Sequence, residues 1–192
     1  MLLRMLTTQY GCVSLEDKRV LEVGCGSGTW LLEFIRWGAR PENLWGIDLL
    51  PERIDVASYI CPPGVNLQCG NGAELQMPDG FFDLVLQSTV FTSILAYELK
   101  KQVANEMLRV LKKQGLIIWY DFMVDNPRNP DVRGINKKEI KKLFPECRIE
   151  LKKITLAPPL ARLVASAFPL SYHALSAIKL LCTHYLALIE KL

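Results

Sequence analysis

The residues with the clearest chemical role lie in the segment 20–29, where glycine occupies positions 24, 26 and 28. Glycines in this spacing let the backbone turn sharply with positive φ and leave no Cβ between the main chain and a ligand. Glu22 places a carboxylate two residues before the first glycine. The apolar residues before the turn predict a buried strand, and the residues after it predict a helix. Such a turn is typical of α/β proteins that bind a nucleoside-bearing cofactor at the carboxyl end of a strand.

The spacing of these glycines differs from the dinucleotide-binding fingerprint, whose third glycine would fall at Thr29. The order Glu22, Gly24, Gly26 and Gly28 resembles instead the first motif of the class I S-adenosylmethionine-dependent methyltransferases. S-adenosylmethionine has no pyrophosphate, but it carries an ammonium, a carboxylate and a sulfonium. The resemblance implies that Glu22 supplies negative charge near the methionine end and that the glycines lie against it. A tight turn in another kind of α/β protein is the alternative.

A second short apolar run ends at Asp48. An acidic side chain at the end of such a strand can accept hydrogen bonds from both ribose hydroxyls, because a carboxylate offers two acceptor oxygens. Leu49 follows and is expected to lie against the adenine face, and Pro51 is expected to start a helix. A helix cap is the alternative role for Asp48.

Asn71, Gly72 and Ala73 stand at the third match to the same family. The family usually has an acidic residue at the first of these positions, which accepts a hydrogen bond from the adenine amino group, and a nearby backbone N–H that contacts the ring. The amide oxygen of Asn71 can also accept a hydrogen bond. A plain turn is the alternative for Asn71 and Gly72.

Residues 106–118 form the fourth match, to the helix, turn and fifth strand of the family. Lys113 and Gln114 replace the proline and first glycine that the family usually has in this turn, which is a structural departure outside the cofactor residues. Because the four matches follow in order over residues 20–120, the chain is identified as a member of the broad methyltransferase group that modifies small molecules and glycans.

The elements that would position these residues alternate along the chain. Short apolar runs predict strands near 19–23, 44–48, 65–69, 82–88 and 115–122. Helical spacing predicts helices near 28–38, 51–60 and 96–111. This alternation predicts a doubly wound α/β fold with a mainly parallel sheet and helices on both faces. The resemblance implies seven strands, with an antiparallel seventh, in a Rossmann-like methyltransferase fold.

Beyond residue 122 the pattern is less regular. A polar loop over 125–134, a helix over 137–144 and a strand over 147–156 are predicted, and residues 184–191 suit either a strand or a helix.

Residues 158–182 predict two helices, the second from Tyr172 to Cys182, and charged residues interrupt any run long enough to cross a membrane. We expect this segment to be a helical insertion that packs in the core or covers the acceptor site, with contact with a membrane surface as a third alternative. The whole chain, 1–192, is predicted to be one domain.

The resemblance implies transfer of a methyl group from S-adenosylmethionine to a small-molecule or glycan-type acceptor, leaving S-adenosylhomocysteine. A general base is needed only if the acceptor must lose a proton. Its candidates lie at the ends of the fourth and fifth strands and are Gln87, Ser88, Tyr120 and Asp121. Packing or substrate orientation is the alternative role for each. A catalytically inactive nucleoside-binding scaffold and a nicotinamide-dependent oxidoreductase are the alternative functions.

Composition narrows the choice of partners. The chain has 192 residues, half of them apolar, and a net charge of only +3. Its basic residues form no nucleic-acid stripe, and the lysines of the helix over 137–144 predict a solvated face, so we expect no nucleic-acid partner.

The six cysteines include no Cys-x-x-Cys pair and the two histidines are far apart, so we expect no metal site. Cys25, although counted among the cofactor-site residues, is expected to fill a small slot in the glycine turn. The cysteines and the lack of a signal-peptide pattern over residues 1–6 predict reduced thiols and a cytoplasmic location.

Overall fold

A computed structural model of the chain describes residues 2–11, 13–126, 129–157, 161 and 178–192. The helices in this part of the chain are α1 (Leu2–Tyr10), α2 (Thr29–Arg36), α3 (Pro51–Ile60), α4 (Tyr97–Val110) and α5 (Lys137–Leu143). The strands are β1 (Val20–Val23), β2 (Leu44–Asp48), β3 (Asn66–Cys69), β4 (Phe82–Ser88), β5 (Leu111–Phe122), β6 (Cys147–Leu156) and β7 (Cys182–Lys191). Most ends lie within two residues of those predicted from the sequence.

The strands form one sheet in the order β3-β2-β1-β4-β5-β7-β6. β1 to β5 run parallel to one another, whereas β7 is antiparallel to both β5 and β6. This order confirms the predicted doubly wound fold and its antiparallel seventh strand. The chain order reverses between β1 and β4, and in open α/β sheets ligands bind outside the carboxyl ends of the strands at such a point.

Two hydrophobic clusters cover the two faces of the sheet. Successive residues of β5 alternate between them: Trp119 packs with α4 and α5 on one face, and Ile118 packs with α1 and α2 on the other. The alternation follows from the two-residue period of a strand. Because both faces are covered, the central strands are apolar on both sides, which is typical of parallel sheets.

Residues 184–191, for which helix and strand were both open, belong to β7. The predicted helix from Tyr172 to Cys182 is wrong at its described end, since Lys179–Leu181 form a short 3-10 turn and Cys182 begins β7. β7 is buried on both faces between β5 and β6, so its sequence lacks the alternation that marks a strand. The rest of the proposed insertion over 158–182, residues 158–160 and 162–177, lies outside the described residues. The single domain over 1–192 stays a prediction.

β5 begins at Leu111, immediately after α4, and not near residue 115. Phe82 pairs with Leu111 but Leu84 pairs with Leu116, so the residues between them bulge out of the ladder. Gln114 lies in this bulge with φ of +59°. The turn predicted at Lys113 and Gln114 is therefore a bulge at the start of the strand. None of the helices in the described residues has the length and apolar character that a membrane crossing needs.

Candidate functional site

A cavity of about 370 Å³ opens at the carboxyl ends of β1, β2 and β4. Half of the residues predicted to bind the cofactor line it, namely Gly24, Asp48, Leu49, Asn71 and Gly72. A second cavity, of about 380 Å³, lies at the opposite edge of the sheet, where Lys112 and Asp83 form an ion pair of 2.8 Å. The residues predicted to bind the cofactor are absent from its described lining. The cavity at the carboxyl edge is therefore the candidate cofactor site.

The glycine turn is held against β2 by its own backbone. The N–H groups of Gly24 and Cys25 both donate to the carbonyl oxygen of Ile47, at 2.8 and 3.0 Å. Gly24, Gly26 and Gly28 have φ of +72°, +53° and +80°, which side chains disfavour. The turn therefore favours glycine at all three positions, because the backbone of each lies in the left-handed region.

The space beside each glycine separates their roles. A Cβ at Gly24 would overlap Cγ2 of Val90, a residue that lines the cavity. A Cβ at Gly28 would lie 2.6 Å from the sulfur of Cys61, whereas a Cβ at Gly26 would meet only Nη1 of Arg53, at 3.4 Å. Gly24 therefore allows Val90 to pack against the turn, Gly28 allows α2 and α3 to pack, and Gly26 is needed mainly for its left-handed backbone.

The Asp48 carboxylate holds two loops together at the cavity wall. Its Oδ2 accepts from the N–H of Gly26 at 2.8 Å, and its Oδ1 accepts from the N–H of Leu50, which precedes α3, at 3.1 Å. The residue is only 7% exposed. Each carboxylate oxygen can accept a second hydrogen bond. Leu50 is the N-cap residue of α3, so Asp48 holds the loop before the helix, and its oxygens keep lone pairs for further donors.

Glu22 lies beneath the glycine turn and is absent from the described lining of the cavity. It is 2% exposed, and its Oε2 has no hydrogen-bond partner among the described residues. Burial raises the pKa of this carboxyl well above its usual range; the N–H of Leu31 opposes that shift and the nearby Asp48 adds to it. Glu22 therefore keeps an unused buried acceptor at the start of α2.

The remaining predicted cofactor residues shape the loops around the cavity. Cys25 is 4% exposed and fills a buried slot beside Gly46, and burial, followed by Glu22 and Asp48, raises the pKa of its thiol to about 12. The N–H of Ala73 donates to Oδ1 of Asn71 at 3.0 Å. The amide oxygen of Asn71 thus forms a turn and retains a second lone pair.

The four candidate bases do not converge on one point. Ser88 lines the cavity, whereas the other three are absent from its described lining. Gln87 is fully buried and its Oε1 accepts from the N–H of Val90 at 3.1 Å. The hydroxyl of Tyr120 contacts Oγ1 of Thr155 at 3.0 Å. Gln87 therefore holds the loop after β4, whereas the Tyr120 side chain is bonded to β6.

Asp121 is also a structural residue in this arrangement. It is fully buried, and its carboxylate accepts from the N–H groups of Phe91, Thr92 and Phe122 and from the Thr92 hydroxyl, the last at 2.6 Å. Burial raises its pKa to about 6, although these hydrogen bonds favour the charged form. The carboxylate therefore ties the loop after β4 to the end of β5.

Arg53, Thr89 and Val90 line the cavity without having been identified from the sequence. Arg53 lies in the first turn of α3, five residues after Asp48, and that short spacing could have indicated it. Thr89 and Val90 follow Ser88 in a loop whose shape depends on Gln87 and Asp121, so no local pattern marks them. Within the described residues, no group of three metal-binding side chains is placed to hold an ion.

The comparisons with known proteins cover the part of the chain that forms this cavity. The family model described as methyltransferase domain matches residues 20–115, half of the chain. The tRNA N(3)-cytidine methyltransferase METTL2 of Gallus gallus is 29% identical over 112 residues, which are 54% of this chain and 30% of that protein. The chain spans less than half the length of each of the curated relatives it matches.

Solved structures extend the likeness to the whole fold. A SAM-dependent methyltransferase of Methanosarcina mazei is 18% identical, with a TM-score of 0.69 over 92% of this chain and 93% of that one. The cyclase SpnF is 17% identical, with a TM-score of 0.71 over 98% of this chain and 79% of that one. The chain belongs to the methyltransferase domain family, among the class I S-adenosylmethionine-dependent methyltransferases.

S-adenosylmethionine is the cofactor that this family implies, and the cavity fits it in two respects. Asp48 offers acceptors for a ribose diol, and Gly24 contributes only backbone to the lining. The buried, unpaired Oε2 of Glu22 adds a carboxylate acceptor below the same turn.

Proposed function

We propose that this protein transfers a methyl group from S-adenosylmethionine to a small-molecule or glycan-type acceptor and releases S-adenosylhomocysteine. The single observation that carries the proposal is the cavity at the carboxyl edge of the sheet, which both Gly24 and the Asp48 carboxylate line. The family of the chain supports the same activity.

Different residues of the cavity would contact different parts of the cofactor. Asp48 would accept from the ribose hydroxyls, Asn71 and the backbone beside it would meet the adenine edge, and Gly24 would lie against the methionine end. When bound, S-adenosylmethionine supplies a methyl group that its sulfonium already makes electrophilic. The chain itself has to align the two reactants, and alignment can contribute about 7–11 kcal/mol of barrier lowering.

Ser88 is the candidate base that lies at this cavity. A serine hydroxyl orients an acceptor by hydrogen bonding and does not ionise at neutral pH, so we propose that Ser88 positions the acceptor. The buried and fully bonded Asp121 would hold the loop that follows Ser88.

The five described cysteines are all free thiols, which supports a cytoplasmic location as part of this proposal.

Calorimetric titration of the folded chain tests the cofactor half of the proposal. Both S-adenosylmethionine and S-adenosylhomocysteine are expected to bind in the micromolar range, on the order of 8 kcal/mol. NAD serves as the control and is expected not to bind. Binding of NAD in place of the two sulfur compounds would contradict the proposal. Transfer of a labelled methyl group to any acceptor would then separate an enzyme from an inactive scaffold of the same fold.

Replacing Asp48 by alanine is expected to weaken binding of S-adenosylhomocysteine by about 1.5–3 kcal/mol, because the ribose hydroxyls lose a charged acceptor. The change also removes the acceptor of the Gly26 and Leu50 N–H groups, so the free energy of unfolding should fall by about 1–3 kcal/mol. Asp48→Asn keeps one acceptor oxygen and should lie between the two proteins. Normal affinity in a destabilised Asp48→Ala protein would mean that Asp48 only holds the two loops together.

Transfer to RNA is a second candidate function. It is favoured by the name of the Gallus gallus relative and by an exposed basic face on α5, formed by Lys137, Lys138, Lys141 and Lys142. Incubation with unmodified tRNA and labelled S-adenosylmethionine tests it. Under the principal proposal the tRNA stays unlabelled, and incorporation that falls steeply with added salt would favour RNA instead.

A further inference from the structure

A separate cavity of about 350 Å³ lies on the face of the sheet that α1 and α2 cover, at the carboxyl ends of β4 and β5. Its floor consists of the buried side chains of Leu86, Ile118 and Leu186. The half-buried side chains of Trp30 and Ile154 form part of its walls. A volume near the lower end of the range for ligand sites, about 300–1,000 Å³, suits a small molecule.

The chemistry of this apolar cavity is distinct from that of the cofactor cavity. The residues of its described lining that carry a polar side-chain atom are Ser88, Thr155, Tyr120 and Trp30. The Tyr120 hydroxyl and Oγ1 of Thr155 lie 3.0 Å apart and bond to each other, and the Tyr120 ring stacks on His184 with centroids 4.9 Å apart. Aromatic and aliphatic walls favour a flat apolar ligand, and they offer few of the hydrogen bonds that a sugar requires.

Ser88 lines both cavities and therefore lies between them. The backbone is strained at one residue in the lining of each cavity. Thr89 in the cofactor cavity has φ of +60°, and Thr155 in the apolar cavity has φ of +61°. Positive φ is an outlier for a β-branched residue, and such outliers cluster at ligand-binding and active sites.

We propose that the apolar cavity binds the methyl acceptor and that the acceptor is a flat, apolar aromatic compound with its hydroxyl directed toward Ser88. This inference rests on the proposed function and narrows its acceptor from small molecules and glycans to aromatic alcohols. Trp30 and Tyr120 hold the ring, and Ser88 orients the hydroxyl. The hydroxyl oxygen forms a bond to the methyl carbon as the methyl–sulfur bond breaks, the sulfonium becomes the neutral thioether of S-adenosylhomocysteine, and the hydroxyl proton passes to solvent.

Naphthol and maltose serve as the probes of the acceptor class, each titrated by calorimetry into the chain saturated with S-adenosylhomocysteine. Naphthol is expected to bind and maltose is not. Ile154→Trp fills the apolar cavity from β6 and should weaken naphthol binding at least about tenfold, equivalent to 1.4 kcal/mol. Its affinity for S-adenosylhomocysteine should stay unchanged, because Ile154 is absent from the described lining of the cofactor cavity.

Leu151→Trp is the matched control, since Leu151 lies on the same strand but packs with the cluster on the other face of the sheet. It should bind naphthol as the parent protein does. If Ile154→Trp fails to fold, Trp30→Leu removes an aromatic wall and should weaken naphthol binding several-fold. Binding of maltose, absence of naphthol binding, or unchanged naphthol affinity in the folded cavity variant would overturn the inference. Failure of S-adenosylhomocysteine to bind the parent protein would instead overturn the proposed function.

Discussion

Replacing Gly24 by valine is expected to abolish binding of S-adenosylmethionine, with a loss of at least about a hundredfold, or about 3 kcal/mol. The new side chain would overlap Val90, so the turn or Val90 would have to shift within the cavity that both residues line. Backbone strain at φ of +72° adds about 1–3 kcal/mol of destabilisation. Calorimetry with S-adenosylhomocysteine measures the first effect, and denaturant unfolding measures the second.

Gly26→Val is the matched control for this change. Gly26 also has positive φ, but a side chain there would meet only the exposed Arg53 and is not directed at Val90. Gly26→Val should therefore show a comparable loss of stability with a smaller loss of affinity. The sequence alone predicts that all three glycines lie against the methionine end, and we propose that Gly24 has the larger part because it lines the cavity. A folded Gly24→Val protein with normal affinity would mean that the cofactor binds elsewhere.

Replacing Asp121 by alanine is expected to lower the free energy of unfolding by about 4 kcal/mol. The substitution leaves three backbone N–H groups and the Thr92 hydroxyl without their acceptor in a fully buried place. Urea unfolding followed by circular dichroism measures the loss. A change below about 1 kcal/mol would show that water replaces the carboxylate at little cost.

Asp121→Asn provides a control that also tests the titration of this carboxyl. The pKa of Asp121 is raised to about 6 because burial penalises the charged form, whereas the unfolded chain has a pKa near 3.8. The folded state therefore binds the proton more tightly, and the stabilising effect of protonation is lost as pH rises through about 6. The stability of the parent relative to Asp121→Asn should thus increase from pH 7 to pH 4. A difference that is constant with pH would contradict the raised pKa.

The local patterns of the sequence predicted the parts of the fold that local chemistry determines. The glycine turn, the carboxylate at the end of β2 and the periodicity of α4 each depend on residues close in the chain. Ser88 is different, because its place between two cavities depends on Asp121 and on the helices α1 and α2. Gln87 and Asp121 were candidate bases because the sequence shows only that they lie at strand ends. Their burial depends on partners from other segments of the chain.

The burial of Glu22, a residue of the glycine motif, also could not be predicted from the local sequence. The sequence places it correctly before the turn, but the two-residue period of β1 directs its side chain to the face covered by α2. That face could be identified only after the helices had been assigned to their sides of the sheet. β7 was ambiguous for a related reason, since burial on both faces removes the alternation that distinguishes a strand.

The position of β7 constrains the order in which this protein can assemble during synthesis. β6 leaves the ribosome before β7, yet β7 separates β6 from β5 in the sheet. Until β7 has been translated, β5 has one unpaired edge and β6 has no parent sheet to join. Open edges of this kind can pair with other nascent chains. β6 carries charged residues that oppose such pairing until β7 has been made, among them Arg148, Lys152 and Lys153.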